Sequence, residues 1–536
     1  MRTTSFLIPV LVLTLGACGG GGGGGSDGSG NAVTGSGVPG GSFIQTTNIS
    51  YLAGNYQPAS SFKNRCANPR TGTNPLTGQA YADTTGSATF ENFWLRSWTN
   101  ETYLWYSEVP DLNPGLYTTS AYFPLLKTAA VTPSGNPKDQ FHFTYPTAQW
   151  IALSQSGVQS GYGVQWFVLS ATPPRRIVVA YVEPGSPAAS LTRGDEIVAI
   201  NGIDVVNGNT QQAIDILNAA VFPSQVGQSY TFTLKPVIGP QYSISLQSSS
   251  NIVTDPVQNV SVLNTGTGPV GYLVFNDHIA TSESQLIAAI NQLKAANVTD
   301  LVLDVRYNGG GYLDIASELA YMIAGPVPTA GRTFERLTFN AKHPNTNPVT
   351  GQPLAPIPFH TTTQGFSAGT GTPLPVLDLP RVFVITGSGT CSASESIINS
   401  LRGVDVNVIQ IGATTCGKPY GFYPTDNCGT TYFTIQFKGV NAKGFGEYSD
   451  GFTPTNSIAG RIGERLPGCS VSDDFTHVLG DPAEAKLAAA LQYRASGTCP
   501  AAPTSNPIGS AKTGVALDAG FLARPAAREI RVLREQ

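Results

Sequence analysis

The sequence predicts a multi-domain chain of mixed α/β (α+β) class, and three observations predict it. Its 536 residues exceed one ordinary domain and suggest about three. Residues 255–495 alternate apolar strand-like runs with helical ones, the pattern of an α/β core. Residues 88–106 carry an aromatic stripe at helical spacing, well ahead of that core. Hydrophobic residues make up 41% of the chain, enough for real cores, whereas charged residues make up only 12% and the net charge is −4. Such a balance gives no reason to expect nucleic acid as a partner.

The N-terminus reads as a targeting segment. Arg2 supplies a short basic region, and the apolar run at 6–15 is too short for a permanent membrane span. Leu15-Gly16-Ala17-Cys18 resembles a bacterial lipobox. The resemblance implies that residues 1–18 are a lipoprotein signal peptide, that Cys18 is lipidated, and that the chain meets the membrane through that lipid. Residues 19–60 begin as a nearly pure glycine/serine run and are expected to act as a flexible tether. The expected location is the cell envelope, facing the periplasm. The absence of Asp after Cys18 points to the outer membrane.

The remaining elements follow in order. Residues 61–85, rich in Asn, Pro, Gly and Thr, read as loop. In the helix expected over 88–106, Phe90, Phe93, Trp94, Trp98, Tyr103, Leu104 and Trp105 are core candidates. In the core, strands are expected at 271–275, 301–305, 381–386, 406–411 and 430–438. Helices are expected at 282–296, 315–323, 394–401 and 479–491. Residues 326–375 form a Pro/Thr/Gly-rich insertion with little pattern, and residues 500–536 an Ala/Pro-rich tail.

Two residues stand out chemically. Ser392 lies among small residues just before the helix at 394–401, and Lys418 sits in a glycine-rich turn after the strand at 406–411. An accessible serine with an isolated lysine on the next loop is what a Ser-Lys nucleophile–base pair requires, because serine is inert until a base removes its proton. A neutral lysine serves if desolvation lowers its pKa. The plainer readings are a helix N-cap for Ser392 and a solvated surface lysine for Lys418. No cysteine or histidine spacing argues for zinc, and no metal or cofactor is expected.

Three segments together resemble the carboxyl-terminal processing, or tail-specific, serine proteases. They are Leu301-Val-Leu-Asp-Val-Arg-Tyr-Asn-Gly-Gly-Gly311, Ser392-Ala-Ser-Glu395 and Gly412-Ala-Thr-Thr-Cys-Gly-Lys418. Residues 156–250 resemble a PDZ domain, with Gly161-Tyr162-Gly163-Val164 as its carboxylate-binding loop and Arg193-Gly-Asp-Glu-Ile-Val-Ala-Ile-Asn-Gly202 around its middle strands. The resemblance implies a helical N-terminal cap over 61–150, a β-rich PDZ-like domain over 156–250 and an α/β protease core over 251–499.

In that framework Ser392, favoured over Ser394, is the nucleophile and Lys418 the general base. Backbone N–H groups of Gly309, Gly310 and Ala393 are the candidate oxyanion donors, each worth on the order of 3 kcal/mol. Glu395 is expected to support the helix N-terminus. Asp304 and Arg306, two apart on a strand, share a face and are expected to pair. The PDZ-like loop would capture the C-terminus of a protein or peptide substrate, adding it to a strand edge. One position departs from the family: Phe422 stands where a glutamine commonly orients the lysine. A tricorn-like subgroup uses Ser with His, and His278 is the candidate for that arrangement. A binding scaffold with a degraded protease core, or an esterase or amidase, are the rival functions.

Of seven cysteines, six remain once Cys18 is set aside, which in an exported chain suggests up to three disulfides. Cys416–Cys428 is the favoured local pair, flanking a predicted hairpin. Cys391–Cys416 competes and would tie the two candidate catalytic loops together.

Overall fold

In chain order, the C-terminal region runs β1 (Val257–Thr265), β2 (Gly268–Phe275), α1 (Ser282–Ala295), β3 (Asp300–Asp304), β4 (Gly311–Tyr312), α2 (Leu313–Ala324), β5 (Arg381–Thr386), α3 (Ala393–Gly403), β6 (Asn407–Gly412), β7 (Tyr420–Gly421), β8 (Gly468–Cys469), α4 (Ala485–Ser496) and β9 (Arg531–Val532). This computed structural model describes residues 49–457 apart from residue 224, residues 463–501 and residues 531–533. The expected signal peptide, Cys18, and most of the tether and tail lie outside the described residues.

Six strands form the central sheet in the order β1-β2-β3-β5-β6-β8, the first pair antiparallel and the rest parallel. Side-chain alternation assigns its two faces. Leu301 and Leu303 of β3 and Val382 and Val384 of β5 join the core built with α1, α2 and α3. Val302, Phe383 and Ile385 face the opposite way, against Leu487 and Ala490 of α4. Covered on both faces, these strands read in the sequence as continuous apolar runs.

The PDZ-like region is a six-stranded antiparallel sheet. Five strands are ordered Tyr242–Gln247, Ser229–Lys235, Glu196–Ile200, Arg176–Val182, Val164–Ser170, the short strand Ile203–Asp204 pairs with Glu196–Ile200, and the helix Gln211–Val221 accompanies them. Its Phe167, Val178, Ala180 and Tyr181 join α4 on the second face of the central sheet. Val164–Ser170 lies at the edge of the sheet and pairs on one side only, with Arg176–Val182.

The N-terminal helix spans Ala88–Thr102 and buries Phe93, Trp94 and Trp98; Tyr103, just past its end, is also buried. It ends there because Leu104 N–H turns away to the carbonyl of Ile435. Residues 430–438, read as one strand in the sequence, are two: Thr430–Phe433 and Phe437–Val440. The chain breaks at Ile435 and Gln436 to change partners. The first piece pairs with Phe143–Pro146 from the N-terminal region, and the second with β7 and Thr333–Thr338. The closing helix also starts later than its sequence pattern indicates, at Ala485, because Glu484 caps it by accepting the Leu487 N–H.

The patternless insertion is anchored by a buried carboxylate. Glu283 of α1 accepts the backbone N–H groups of Gln364, Gly365, Ser367 and Ala368. Neighbouring Glu318 is pushed up to about 9 by burial and by the Glu283 charge, so it keeps its proton at neutral pH.

The expected Asp304–Arg306 pair forms, at 2.8 Å, inside a larger buried network. The Arg306 guanidinium also meets Asp473 at 2.6 Å and Glu484 at 2.7 Å. Asp473 in turn holds Arg193 of the PDZ-like region at 2.9 Å and lies 3.5 Å from Lys486. Burial pushes the Asp473 carboxyl up, but Lys486, Arg306 and Arg193 outweigh it and hold the group well below the usual carboxylate range. A group depressed in this way stabilises the fold fully above its unfolded pKa of about 3.9, and the contribution is lost as pH falls through the lower folded value. Asp473→Asn leaves cations uncompensated and is expected to cost about 3 kcal/mol at pH 7. Urea titrations at several pH values check it: the acid-side loss of stability should be shallower in the variant than in the unaltered chain.

Candidate active site

The turn after β5 is tightly fixed. A Cβ on Gly387 would lie 2.6 Å from the Arg306 carbonyl oxygen, so only glycine fits there. Thr390 Oγ1 accepts the Gly387 N–H and donates to the Val305 carbonyl, pinning the turn to the end of β3. Two residues later the chain enters α3 through Ser392, which holds φ 63° and ψ −114°. A non-glycine residue there carries backbone strain on the order of 1–3 kcal/mol, of the kind that clusters at functional sites. Ser392 and Glu395 face each other as a capping box at the N-terminus of α3, the Glu395 carboxylate accepting the Ser392 N–H, while the fully buried Ser392 Oγ has no well-formed hydrogen bond among the described residues.

Glu395, one turn into α3, clamps both candidate loops. Its buried carboxylate accepts the Ser392 N–H at 3.0 Å, the Gly417 N–H at 2.9 Å, the Lys418 N–H at 2.8 Å and the Thr415 hydroxyl. Burial pushes this carboxyl up, and those donors oppose the shift. The sequence reading gave Glu395 the helix terminus alone. Its spacing from Ser392 is the capping-box signal, but nothing in the sequence marks its reach to the lysine loop.

A disulfide joins the same two loops. Cys391 and Cys416 are bonded, with Cα atoms 5.1 Å apart, and the Cys416 N–H donates to the Thr390 carbonyl. The favoured Cys416–Cys428 pairing is therefore wrong. Cys428 lies in the turn joining Thr425–Asn427 to Thr430–Phe433 and bonds Cys66 of the N-terminal region, while Cys469 bonds Cys499. The physical reason is that Cys416 leaves β6 on the Glu395 side, whereas the hairpin carrying Cys428 pairs with N-terminal residues.

Lys418 is fully buried rather than solvated. Its Nζ lies 4.3 Å from the ring centroid of Phe422 and 4.6 Å from that of Phe141. Phe422 thus meets the lysine with an aromatic face, a contact of cation–π type when the amine is charged. Phe141, from the N-terminal region, was not among the sequence candidates, and only its place in an aromatic-rich segment hinted at burial.

The glycine turn after β3 packs directly on the serine turn. The Asn308 carbonyl accepts the Cys391 N–H at 3.1 Å and the Ser394 hydroxyl at 3.2 Å. The Gly310 N–H is already given to Asn308 Oδ1 at 2.9 Å, so of the three expected oxyanion donors it is engaged within its own turn. Gly309 N–H has no acceptor among the described residues. Ala393 N–H, in the first turn of α3, has no acceptor within the helix.

His278 flanks the same turn. Its Nδ1 lies 3.0 Å from Asn308 Oδ1, whose amide is oriented by donation from Asn308 Nδ2 to the Phe275 carbonyl. Oδ1 can only accept, so Nδ1 carries the proton and Nε2 the lone pair. Burial lowers the imidazole to about 3, against the opposing Asn308 bond, so it is neutral across the physiological range. Nε2 is buried with no hydrogen-bond partner among the described residues.

The PDZ-loop candidates lie apart from this cluster. Tyr162 packs in the core of the PDZ-like sheet, and its carbonyl accepts the Ala188 N–H. The Gly163 carbonyl accepts the Glu183 N–H, Gly161 ends the strand Val158–Gly161, and Val164 opens the edge strand.

Residues 269–424 match the model of peptidase family S41, and residues 178–225 that of the PDZ domain. A carboxyl-terminal-processing protease of Picosynechococcus sp. is 27% identical over 271 residues, which cover 50% of this chain and 56% of that one. The chloroplastic carboxyl-terminal-processing peptidase 1 of Arabidopsis thaliana is 26% identical over 165 residues, 29% of this chain and 32% of the relative. The chain therefore spans about half or less of the length of these two relatives. A crystal structure described as an S41 protease of Bacteroides fragilis superposes with a TM-score of 0.55 at 22% identity, covering 76% of this chain and 97% of the other. The fold is mixed α/β, with a PDZ domain and a core of the S41 protease type.

Proposed function

We propose that the chain is an exported, lipid-anchored serine endopeptidase that recognises the C-termini of envelope proteins through its PDZ-like edge strand. The observation that carries the reading is Ser392: strained, buried, with no well-formed Oγ hydrogen bond among the described residues, at the N-terminus of α3 and tied through Glu395 to the loop that delivers Lys418.

The chemistry follows from those positions. Ser392 Oγ attacks the peptide carbonyl carbon while its proton passes to neutral Lys418 Nζ. The carbonyl oxygen becomes an oxyanion held by the Gly309 and Ala393 N–H groups and by the positive end of the α3 dipole. The C–N bond breaks, and the leaving amine takes the proton from Lys418. Water then attacks the acyl-serine, giving up a proton to Lys418; the bond from the acyl carbon to Oγ breaks, Lys418 returns that proton to Ser392 Oγ, and the carboxylic acid leaves.

A second reading of the base rests on His278. Its neutral ring, with Nδ1–H oriented by Asn308 and Nε2 without a partner, is the form a general base takes.

The test is incubation of the purified chain with an unfolded protein bearing a free hydrophobic C-terminus, beside the same protein amidated at that terminus. Products are read by mass spectrometry. Internal cleavage, faster for the free terminus by roughly tenfold, is the expected result. Binding of the C-terminal peptide without cleavage would instead favour a scaffold. Cells grown with labelled palmitate test the anchor in the same preparation, and label retained by Cys18→Ala would remove the lipid from the proposal.

A further inference from the structure

One short segment far along the chain lies on the candidate site. β9 runs parallel to β4, with Arg531 opposite Gly311 and Val532 opposite Tyr312. The next residue, Leu533, donates its N–H to the Phe422 carbonyl at 3.3 Å. Leu533 is buried and belongs to the same apolar cluster as Tyr312, Tyr420 and Phe422.

These partners adjoin the two candidate loops: the glycine turn before β4 packs on the serine turn through the Asn308 carbonyl, and the Phe422 ring meets Lys418 Nζ. β4 continues directly from the turn at Gly309 and Gly310, and Phe422 follows β7 from Lys418. Gly311, at φ 139°, brings β4 close to the His278 backbone: a Cβ there would lie 2.3 Å from the His278 carbonyl oxygen. On that side Tyr312 N–H donates to His278 O, which leaves the opposite side of β4 to β9. Residues 531–533 therefore bridge from the glycine turn to the lysine loop.

The bridge has the form of a bound peptide. An endopeptidase must hold substrates of varied sequence in an extended state, which it does by main-chain pairing to a strand edge, with a pocket reading one side chain. Residues 531–533 use those two devices: pairing along β4, one main-chain bond to Phe422, and one buried apolar side chain, Leu533. We infer that residues 531–533 are an intramolecular occupant of the substrate groove, and that the groove takes extended peptides with an aliphatic residue at the place of Leu533. The inference rests on the protease reading for the groove's purpose, but not for its occupancy. A contact three residues long is individually weak. Tethering offsets this, because a linked segment sits at an effective concentration in the millimolar range. Substrate must then compete with the tail, and occupancy should raise the apparent KM and leave kcat unchanged.

The test uses a fluorescent peptide of residues 528–536 and its binding, read by anisotropy, to the full chain, to Leu533→Ala in the full chain, and to a chain ending after residue 500. Both altered chains are expected to bind the peptide at least about fivefold more tightly than the full chain. They should also show a KM for the unfolded protein substrate lower by a similar factor, with kcat unchanged. Equal binding by all three chains, or binding by none, overturns the proposal, and so does a fall in kcat with KM unmoved. The shortened chain keeps the test decisive if Leu533→Ala fails to fold. Peptide binding reads the groove whether or not the chain cleaves anything. A failure of the protease reading would show as absent cleavage with the binding difference intact.

Discussion

Ser392→Ala is expected to lower the rate of peptide-bond cleavage by roughly 10⁴-fold or more, while leaving the fold's stability nearly unchanged. The two readouts separate the nucleophile from the plain helix cap. A serine that caps a helix through its hydroxyl costs about 1 kcal/mol when replaced by alanine. Ser392 Oγ has no well-formed hydrogen bond among the described residues, its capping-box approach to the Glu395 N–H being loose, so alanine removes little. Glycine should go further. At φ 63° it relieves the strain of the turn, and Ser392→Gly is expected to be more stable than the unaltered chain by about 1 kcal/mol, and equally inactive. Denaturation midpoints measured beside initial rates check both variants. A clear loss of stability in Ser392→Ala would return the residue to a capping role.

The second large effect concerns the base. Lys418→Met is expected to reduce kcat by roughly 10²–10⁴-fold. Lys418→Arg should be no better, since a guanidinium does not give up its proton in proteins. The pH profile assigns the role independently. A lysine base must be neutral to act, so kcat/KM should rise with pH through its titration and then level off. His278, lowered to about 3, is already neutral, and a histidine base would give a rate independent of pH across the neutral range. His278→Gln should therefore retain most activity with the profile unchanged. Loss of activity in His278→Gln, with a flat profile in the unaltered chain and little effect of Lys418→Met, would move the proton to the histidine.

Much of this was legible in the sequence because it is local. β3 and β5 announced themselves by apolar runs, the Asp304–Arg306 pair by its closeness in sequence, although β3 ends at Asp304 and Arg306 lies in the turn just past it, and the Ser392 turn by its small residues ahead of a helix. Features that depend on distant chain meeting distant chain were not legible. The cysteine partners were misassigned because Cys66 and Cys428 are 362 residues apart in sequence, beyond any hairpin argument. Phe141 reaches Lys418 only because the strand Phe143–Pro146 pairs with Thr430–Phe433, and the strand at 430–438 splits for the same reason. Arg193, quoted as part of a PDZ-like motif, proved to be buried against Asp473, and the length of that network could not be read from the motif.

The Cys391–Cys416 bond makes the assembly of the two loops depend on where the chain is. A disulfide closing a loop of this size contributes about 3 kcal/mol, mostly by restricting the unfolded chain. For a chain exported as proposed, the cytosol keeps both thiols reduced during synthesis, and hydrogen bonds, those of Glu395 and that from the Cys416 N–H to the Thr390 carbonyl, must hold the lysine loop to the serine turn. Oxidation outside the cytosol then fastens it. The bond would act as a safety catch, leaving a freshly made hydrolase slack among the proteins of its own cytoplasm and competent only beyond the membrane. Dithiothreitol is accordingly expected to lower kcat reversibly by about tenfold or more, with the opened pair mapped by thiol alkylation. Full activity with Cys391 and Cys416 both alkylated would show that the catch does nothing.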